Sequence, residues 1–562
     1  MTKIIKAEYN NATLEKLYNK YLDNGALDSA LNILDKVYDL NGESTEIYSS
    51  YANIYYKMGL YERAINYWYK YLSVAEDKEL AKGYNGLGAC HYKIDNKQLA
   101  GYYFNEQINT KDKSIYEYND VGADFFDELY DDKNNYYLAY PFDKADFTKT
   151  VNRSSDLIKI GEYDKALDVL SIIPKESRFY SDALIQSALC YYFNDDKEKS
   201  LLCINEALKN NPTDLIALCN AISLYSDAGD KKSVKKLVEK LTKLPEGKDF
   251  DNLYKIFMVY CEVGEYLLAE SVAKQILKKE PFNLNVLFLY GITEYNLGKY
   301  DVAESVFSRC YLIVKSYVFK HYYQLSSKAK ISKNKTRKKL VYTFDLTANG
   351  KKEILTKLGQ AILDDGARSV SKQTIDDFVS YSYEIHNYNV QSSVVSLLFK
   401  LNTEYCHKKL KEVLLNSNYF DRIKVGIIGY LVNCGFSGKL SVVYGNVFKK
   451  ITLYKASFGE DGIGCFNDAY SLLCAKISCL ENDLYTVKIT AENMYNIAKE
   501  NGFLSEVKDV KALSATIYEF ANIKPIISRR AYAKFFDANL KSIKKIKDLY
   551  LNLGVKIGEF KV

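Results

Sequence analysis

The 562-residue chain contains only six prolines and one tryptophan. Proline interrupts helices, so a chain with so little of it leaves long stretches free to be helical. No run of about 18 apolar residues occurs, which predicts that no helix spans a membrane. The first residues, MTKIIKAEYNNATLEKLYNK, lack the apolar stretch of a secretory signal, so we expect none.

The cysteines lack the arrangement of a disulfide framework. Their number is odd, eleven, and no two of them are separated by only two residues. Several lie in apolar stretches such as SALCYY and SLLCAKI, where reduced cysteine behaves as a small hydrophobic residue. We therefore expect a cytoplasmic protein.

Residues that would support catalysis or ligand binding are also scarce. The four histidines are scattered, and no cysteine or carboxylate stands at ligand spacing from any of them. The segment GFSGK at residues 435–439 has too few residues between its glycines for a phosphate-binding loop. The sequence predicts no catalytic residue, no metal ligand and no cofactor, and we expect the protein not to be an enzyme.

Charge is nearly balanced. The chain has 77 basic and 71 acidic residues, a net charge of +6, which is too small over this length to predict nucleic-acid binding by the whole chain. Hydrophobic residues make up 48% and charged residues 26%, as in folded proteins. A length prior of about 150 residues per domain predicts three or four units.

A repeated pattern dominates the first 315 residues. Eight segments each carry an anchor residue, usually alanine, shortly after a turn that often reads Gly-x-Tyr. The anchors are Ala30, Ala64, Ala100, Ala166, Ser200, Val234, Ala269 and Ala303. They are 34 and 36 residues apart in the first three segments, and 34, 34, 35 and 34 apart in the last five. Ordinary amphipathic helices do not predict a constant period, so this spacing indicates a repeat protein.

The segments resemble the tetratricopeptide repeat (TPR), a helix–turn–helix unit of about 34 residues. The second segment shows the pattern most fully, as Tyr48, Tyr51, Ala52, Tyr55, Gly59, Tyr61, Ala64 and Trp68. Offsets of three and four place the first of these on one face of helix A, and glycine permits the turn into helix B. The resemblance implies an all-α fold in which helix pairs stack into an α–α superhelix.

This resemblance and the composition predict five regions. They are TPR repeats 1–3 at residues 10–110, an acidic and aromatic insertion at 111–147, TPR repeats 4–8 at 148–315, a basic linker at 316–345, and a mostly helical C-terminal module at 346–562. The linker prediction depends on KAKISKNKTRKK, which has seven basic residues and no acidic one. Its like charges repel, and it has few apolar side chains to bury.

The C-terminal module contains three weaker patterns. The helices on either side of NSNYFDRIK look like a HEAT-type unit. Two β-branched runs flank Gly445 and Asn446 and predict a short β-hairpin near residues 440–454. Residues 527–550 resemble a helix-turn-helix with its turn near Asp537, and apolar Ile543 and Ile546 are expected to pack in its second helix.

Helix A of each repeat is expected to line a groove. The groove positions follow the packing positions by one residue, which is a rotation of about 100°. In repeats 1–3 they hold the polar set Asn19, Asn53, Tyr56, Asn85 and Tyr92; in the later repeats they hold the largely apolar set Tyr192, Tyr254, Met258, Phe288 and Tyr295. The later groove suits a helix or an extended peptide. The sequence leaves open whether a partner or the chain's own C-terminal region fills it.

Two functions follow from these patterns. The first is a non-catalytic TPR adaptor or scaffold that binds a protein or peptide partner through its groove. The alternative is a DNA-binding regulator whose helix-turn-helix-like segment contacts phosphates through Lys541, Lys544 and Lys545. Lysines on the solvent side of a C-terminal helix explain the same charge, so a nucleic-acid partner is possible but not favoured, and no membrane partner is expected.

Overall fold

The computed structural model describes residues 11–110, 147–244, 249–331, 338–363, 370–460, 464–478, 483–524, 526 and 528–561. The chain divides into two compact units. Unit 1 takes its residues from Met1–Phe125, Lys315–Val318 and Ala348–Val562, and unit 2 from Phe126–Val314 and Phe319–Thr347. Among the residues described, no helix combines the length and the apolar character needed to cross a membrane.

Eight antiparallel helix pairs make up the repeats. Unit 1 holds repeats 1–3, formed by α1 (Asn11–Asp23), α2 (Leu27–Asn41), α3 (Thr45–Lys57), α4 (Tyr61–Val74), α5 (Leu80–Lys93) and α6 (Lys97–Asn109). Unit 2 holds repeats 4–8, formed by α7 (Thr148–Lys159), α8 (Tyr163–Leu170), α9 (Tyr180–Phe193), α10 (Lys197–Asn210), α11 (Leu215–Asp227), α12 (Lys231–Thr242), α13 (Phe250–Val263), α14 (Tyr266–Lys279), α15 (Leu284–Asn296) and α16 (Tyr300–Ile313). The first helix of each pair is helix A and the second is helix B.

Small residues allow the two helices of a pair to approach closely. Of the eight anchors, all but Val234 are fully buried. On the facing helix, a Cβ atom built on Gly88 would lie 2.6 Å from the Phe104 ring, and one built on Gly291 would lie 2.6 Å from the Phe307 ring. Those distances are far below a normal carbon–carbon contact of about 3.5–4.0 Å, so only glycine fits.

The turns between helices A and B require a left-handed residue. Glycine supplies it in most repeats, as at Gly59 with φ 76° and Gly298 with φ 82°. In repeats 3 and 5 the residues Asp95 and Asp195 take the same conformation, with φ of 57° and 62°. Aspartate tolerates this region better than most residues, so the turn survives without glycine.

The described residues of the C-terminal module in unit 1 form ten α-helices and one hairpin. They are α18 (Ala348–Leu363), α19 (Lys372–Glu384), α20 (Tyr388–Leu401), α21 (Glu404–Leu415), α22 (Asp421–Asn433), β1 (Gly438–Tyr444), β2 (Val447–Leu453), α23 (Cys465–Ile477), α24 (Leu484–Glu500), α25 (Val510–Ala521), α26 (Arg529–Phe536) and α27 (Leu540–Leu551). Most of them share one apolar core, to which the last two helices contribute Phe536, Ile543 and Ile546.

The predicted hairpin is confirmed. Its strands pair antiparallel from Gly438 opposite Leu453 to Tyr444 opposite Val447. The two turn residues, Gly445 and Asn446, have φ of 53° and 64°. Two consecutive positive φ values define the tight turn whose twist matches that of the paired strands, and Asn and Gly are the residues that reach them most easily.

The region expected to be a basic linker has a different structure. Most of its first half forms α17 (Tyr317–Ile331), which packs against repeat 8 through Phe319 and Tyr322, both buried. Burying an aromatic ring stabilises the fold by about 1.5–3 kcal/mol, so these two side chains order the helix despite the repulsion among the basic residues that follow. Residues 332–337 of the basic run lie outside the described residues, as do 111–146 of the acidic insertion.

Candidate functional site

A ten-residue extended segment, residues 338–347, follows α17 in unit 2, and we name it the strap. It packs against α15, α17 and Tyr266, the first residue of α14. Asn296, the last residue of α15, holds its backbone: the side-chain Nδ2 donates to the Leu340 carbonyl at 2.9 Å, and Oδ1 accepts from the Leu340 N–H at 2.7 Å. A primary amide carries a donor and an acceptor side by side, so it pairs with an extended residue as a neighbouring strand would.

Tyr342 of the strap points into the repeats. Its hydroxyl lies 3.1 Å from Oγ1 of Thr293, which itself donates to the Leu289 carbonyl at 2.9 Å. The Tyr342 hydroxyl is therefore the donor to Thr293. Its ring lies 6.4 Å from that of Tyr266, and burial raises the pKa of Tyr342 above the ordinary tyrosine value. Tyr342 thus contacts both a hydroxyl group and an aromatic ring of the groove.

The C-terminal half of the strap rests on an aromatic cluster. The Phe344 ring lies 4.6 Å from the ring of Phe288 on α15 and 5.7 Å from that of Phe319 on α17. Tyr322 donates its hydroxyl to the Asp345 carbonyl at 2.9 Å. Leu346 is buried, with 4% of its surface exposed. This part of the groove therefore accepts apolar side chains and one backbone carbonyl.

Alternate residues of the strap face opposite sides. Leu340 and Tyr342 are half-buried and Leu346 is buried, whereas Val341 is 67% exposed and Thr343 is exposed. Phe344 touches the aromatic cluster yet keeps 45% of its surface in solvent. A period of two is the signature of an extended chain held along one side. The alternation of apolar residues is visible in the sequence LVYTFDL, but because a basic run precedes it, the sequence predicts that most of these residues belong to a linker.

The five predicted residues of the later groove fall in two classes. Phe288 and Tyr295 are buried, whereas Tyr192, Tyr254 and Met258 are half-buried. Phe288 contacts Phe307 of its own repeat, as well as α17 and the strap, so it differs from the solvent-facing position that the sequence predicts. The reason is that α17 and the strap cover this end of the groove. The described contacts bring Phe288 together with the strap and do not join it to the other four.

The predicted groove of repeats 1–3 is more open. Asn19 and Asn53 are exposed, and Tyr92 is half-buried. Tyr56 packs edge-on against Tyr61, with ring centroids 5.2 Å apart. Asn85 donates its side-chain N–H to Oε1 of Gln107 at 3.0 Å, so its amide is engaged within repeat 3.

In these same repeats, the face formed by helices B binds the hairpin tip. Tyr69 on α4 donates its hydroxyl to the Asn446 carbonyl at 2.7 Å, and the Tyr103 hydroxyl on α6 donates to the same oxygen. The Tyr103 hydroxyl also accepts from the Phe448 N–H at 3.1 Å. Both tyrosines are fully buried, and the Tyr69 and Phe448 rings stack at 6.5 Å.

Polar contacts extend this junction between repeat 2 and the C-terminal module. Arg63 on α4 pairs with Glu384 on α19 at 2.6 Å, and its guanidinium lies 4.6 Å from the Tyr383 ring centroid. Asn66 accepts from the Ser417 N–H at 3.1 Å. Sequence patterns gave no sign of this junction, because its residues are more than 300 positions apart in the chain.

The helix-turn-helix-like segment consists of α26 and α27, joined through Asp537 in a left-handed conformation, φ 52°. Lys541, Lys544 and Lys545 are all exposed on α27, and Lys545 lies 3.8 Å from Glu506. Lys511 pairs with Asp537, and this contact holds the pKa of the Asp537 carboxyl below its usual value. The DNA contacts stay a prediction.

Comparisons with known proteins connect the repeats to a family. No protein-family model matches the chain. The TPR repeat-containing protein YvcD of Bacillus subtilis (strain 168) is 24% identical over 292 residues, which are 50% of this chain and 58% of that protein. DnaJ homolog subfamily C member 7 of Homo sapiens is 23% identical over 281 residues, 46% of this chain and 56% of that protein. The chain therefore spans little more than half the length of these two relatives.

Two solved structures align with parts of this chain. Yeast Tom70 covers 97% of this chain and 96% of its own, at 11% identity and a TM-score of 0.29. The TPR2AB domain of yeast Sti1, in a complex with pHSP90, covers 48% of this chain and 99% of its own, at 14% identity and a TM-score of 0.20. The eight helix pairs, their buried anchors about 34 residues apart and the likeness to a TPR repeat-containing protein together show that the chain is a TPR repeat-containing protein.

Proposed function

We propose that this chain is a non-catalytic adaptor that binds a protein partner through the helix-A groove of repeats 5–8 in unit 2. TPR proteins typically act as scaffolds for protein–protein interaction and are generally non-catalytic. The observation that carries the proposal is the strap, because its path through repeats 7 and 8 is that of an extended peptide bound in a groove.

The groove offers the contacts that peptide recognition needs. Asn296 pairs with a peptide backbone, which gives affinity without regard to side chain, and Thr293 offers a hydroxyl. Nearby aromatic rings give selectivity for apolar side chains. Beyond the strap, Tyr254 and Met258 on α13 and Tyr192 on α9 are half-buried, so each keeps apolar surface for a partner. Aromatic residues in such positions often dominate binding energy.

The test compares capture of partners by matched variants of the full chain. Tyr254→Ala with Met258→Ala removes apolar surface from the groove, and we expect it to abolish capture of proteins that the wild type retains from its native cell. The control, Leu202→Ala with Leu267→Ala, removes equally apolar side chains from helices B, where they are 68% and 69% exposed. Partners should remain bound to this control, and helical circular dichroism should be unchanged in both variants.

Mass spectrometry of the captured proteins gives the readout. A partner lost from the groove variant and kept by the control supports the proposal. Equal capture by wild type, groove variant and control would show that partners bind elsewhere on the chain.

A further inference from the structure

We infer that the strap is an internal ligand of the groove, and that a protein partner enters by displacing it with an extended segment of the same chemistry. This inference rests on the proposed function and adds two things to it, a pattern for the partner and a closed state of the site. The partner segment carries a basic residue followed by apolar or aromatic residues at alternating positions, as Lys339, Leu340, Tyr342, Phe344 and Leu346 do in the strap.

Each of these positions of the strap contacts a different part of the groove. Lys339 donates to the Asn296 carbonyl, and its ammonium lies 5.3 Å from the Tyr266 ring centroid, a cation–π contact. The next residue, Leu340, is held through its backbone by Asn296, and its side chain is half-buried, so an apolar residue fits there. Two positions later Thr293 and the Tyr266 ring favour tyrosine.

The last positions require apolar groups. A ring at the Phe344 position contacts Phe288 and Phe319, and the carbonyl that follows accepts from Tyr322. The pattern is therefore a basic residue, an apolar residue, an outward-facing residue, an aromatic residue, an outward-facing residue and a second aromatic residue. An acidic residue at the first position would forfeit the attraction to the ring face, since that face carries partial negative charge.

Two features make the strap displaceable. It is held along one side only, since Val341 and Thr343 face away from the groove and are exposed. Phe344 is also nearly half exposed, so its departure from the groove exposes little apolar surface that is now buried. An internal ligand of this kind weakens the binding of a competitor, because only the molecules with an open groove can bind it. The apparent affinity equals the intrinsic affinity multiplied by the fraction of open molecules.

A labelled peptide with the strap sequence, KKLVYTFDLT, tests this directly against the full chain. Fluorescence anisotropy should show that Tyr342→Ala with Phe344→Ala binds the peptide about tenfold or more tightly than the wild type does, because its own strap competes less well. The control, Val341→Ala with Thr343→Ala, changes the outward side of the same segment and should bind as the wild type does. A peptide with the same composition in scrambled order should not bind either protein.

The groove end of the contact is tested in the same background. Adding Asn296→Asp to the Tyr342→Ala, Phe344→Ala variant keeps the side-chain shape but removes the donor to the peptide carbonyl. The peptide should then bind about tenfold more weakly, the loss expected for one backbone hydrogen bond of about 1.4 kcal/mol. Unchanged helical circular dichroism excludes unfolding as the cause.

The outcomes separate this inference from the proposed function. Equal peptide affinity of the wild type, the strap variant and the outward control would overturn the internal-ligand inference, even if the groove captures partners. Tighter peptide binding by the strap variant, with no loss of captured partners from the groove variant, would support the internal ligand and overturn the proposed function.

Discussion

Repeats 2–3 in unit 1 and repeats 7–8 in unit 2 each bind a later segment of their own chain, but mainly through different helices of the pair. In unit 1 the hairpin tip binds helices B through Tyr69 and Tyr103, which are fully buried. In unit 2 the strap binds helix A, where Phe344 is 45% exposed. Repeats of one kind therefore hold a fully buried segment in unit 1 and a partly exposed segment in unit 2.

Burial explains the difference. A buried hydroxyl that satisfies two backbone groups cannot leave without stranding both, and an unsatisfied buried polar group costs about 1–3 kcal/mol. On the outer side of the strap the Thr343 N–H donates to the Val341 carbonyl and both residues are exposed, so release of the strap leaves neither group buried without a partner. The predictions below test this contrast from the largest expected effect to the smallest.

The largest effect is expected for Tyr103→Ala in unit 1. This change removes a fully buried ring that stacks on His91, and it leaves the Phe448 N–H without its acceptor. Aromatic-to-alanine changes in cores usually cost about 3–5 kcal/mol, and we expect that loss in the free energy of unfolding. Chemical denaturation measures it. The neighbouring Tyr102→Ala, whose side chain is 39% exposed, should cost less than about 1 kcal/mol. Similar losses for the two would contradict a structural junction.

Acid should destabilise unit 1 through His91. This side chain is 2% exposed, and among the described residues neither ring nitrogen has a hydrogen-bond partner. Burial lowers the pKa of His91 to about 4. The unfolded chain therefore takes up the proton first, so stability is full above about pH 6.5 and falls as pH drops toward 4. The loss between pH 7 and pH 5 should be about 2 kcal/mol, and His91→Phe should remove it. An unchanged pH dependence in that variant would show that His91 is solvated.

The buried carboxyl of Glu294 in unit 2 should respond in the opposite sense. Glu294 is fully buried on α15, and the nearest ammonium, that of Lys299, lies 3.9 Å away. Burial raises the pKa of Glu294, so the folded protein holds the proton to a higher pH than the unfolded chain does. Acidification from neutral pH toward the ordinary carboxyl value therefore stabilises unit 2. Glu294→Gln should weaken this response in pH-dependent unfolding, and a variant that responds to pH as the wild type does would contradict it.

Loss of the strap contacts should have a smaller effect on stability. Tyr342→Ala with Phe344→Ala removes two aromatic side chains from a segment already half in water, and an aromatic pair is worth about 0.5–1.5 kcal/mol. We expect the free energy of unfolding to fall by about 1–2 kcal/mol, less than for Tyr103→Ala. Val341→Ala with Thr343→Ala should change it by less than about 0.5 kcal/mol. A loss from the strap variant as large as that from Tyr103→Ala would make the strap a structural element.

The smallest stability effect is expected on α27. Replacing Lys541, Lys544 and Lys545 with glutamine should change the free energy of unfolding by less than about 0.5 kcal/mol, because all three are exposed. If the regulator hypothesis is right, the triple variant should bind DNA more weakly, and its salt dependence should flatten by about one unit of slope per lost contact. Absence of DNA binding by the intact chain at low salt would end that hypothesis.

The repeats and the hairpin could be predicted from sequence because their signals are local. Ala64 follows Gly59 at the spacing that a tight turn between two packed helices requires, and Gly445 and Asn446 are neighbours in one turn. The residues that decide such features lie within about one repeat of each other.

The junction and the strap could not be predicted in the same way. The period reveals which side chains pack inside a repeat, but not what covers its outer faces, so nothing in the sequence joined Tyr103 to Phe448. The strap contacts Thr293 and Asn296 from more than 40 residues away. The alternation of apolar residues in the strap was visible in the sequence, but the lysines before it predicted a linker. Only tertiary packing decides between an ordered strap and a linker.

The hairpin junction has a consequence for the order in which the protein is made. Tyr69 bonds to Asn446, which is 377 positions later in the chain. At about 5–20 residues per second of synthesis, about 20–75 s separate the emergence of the two partners from the ribosome. The first repeats therefore leave the ribosome with Tyr69 and Tyr103 uncovered, and the two side chains stay without their hairpin partner until the hairpin has been translated.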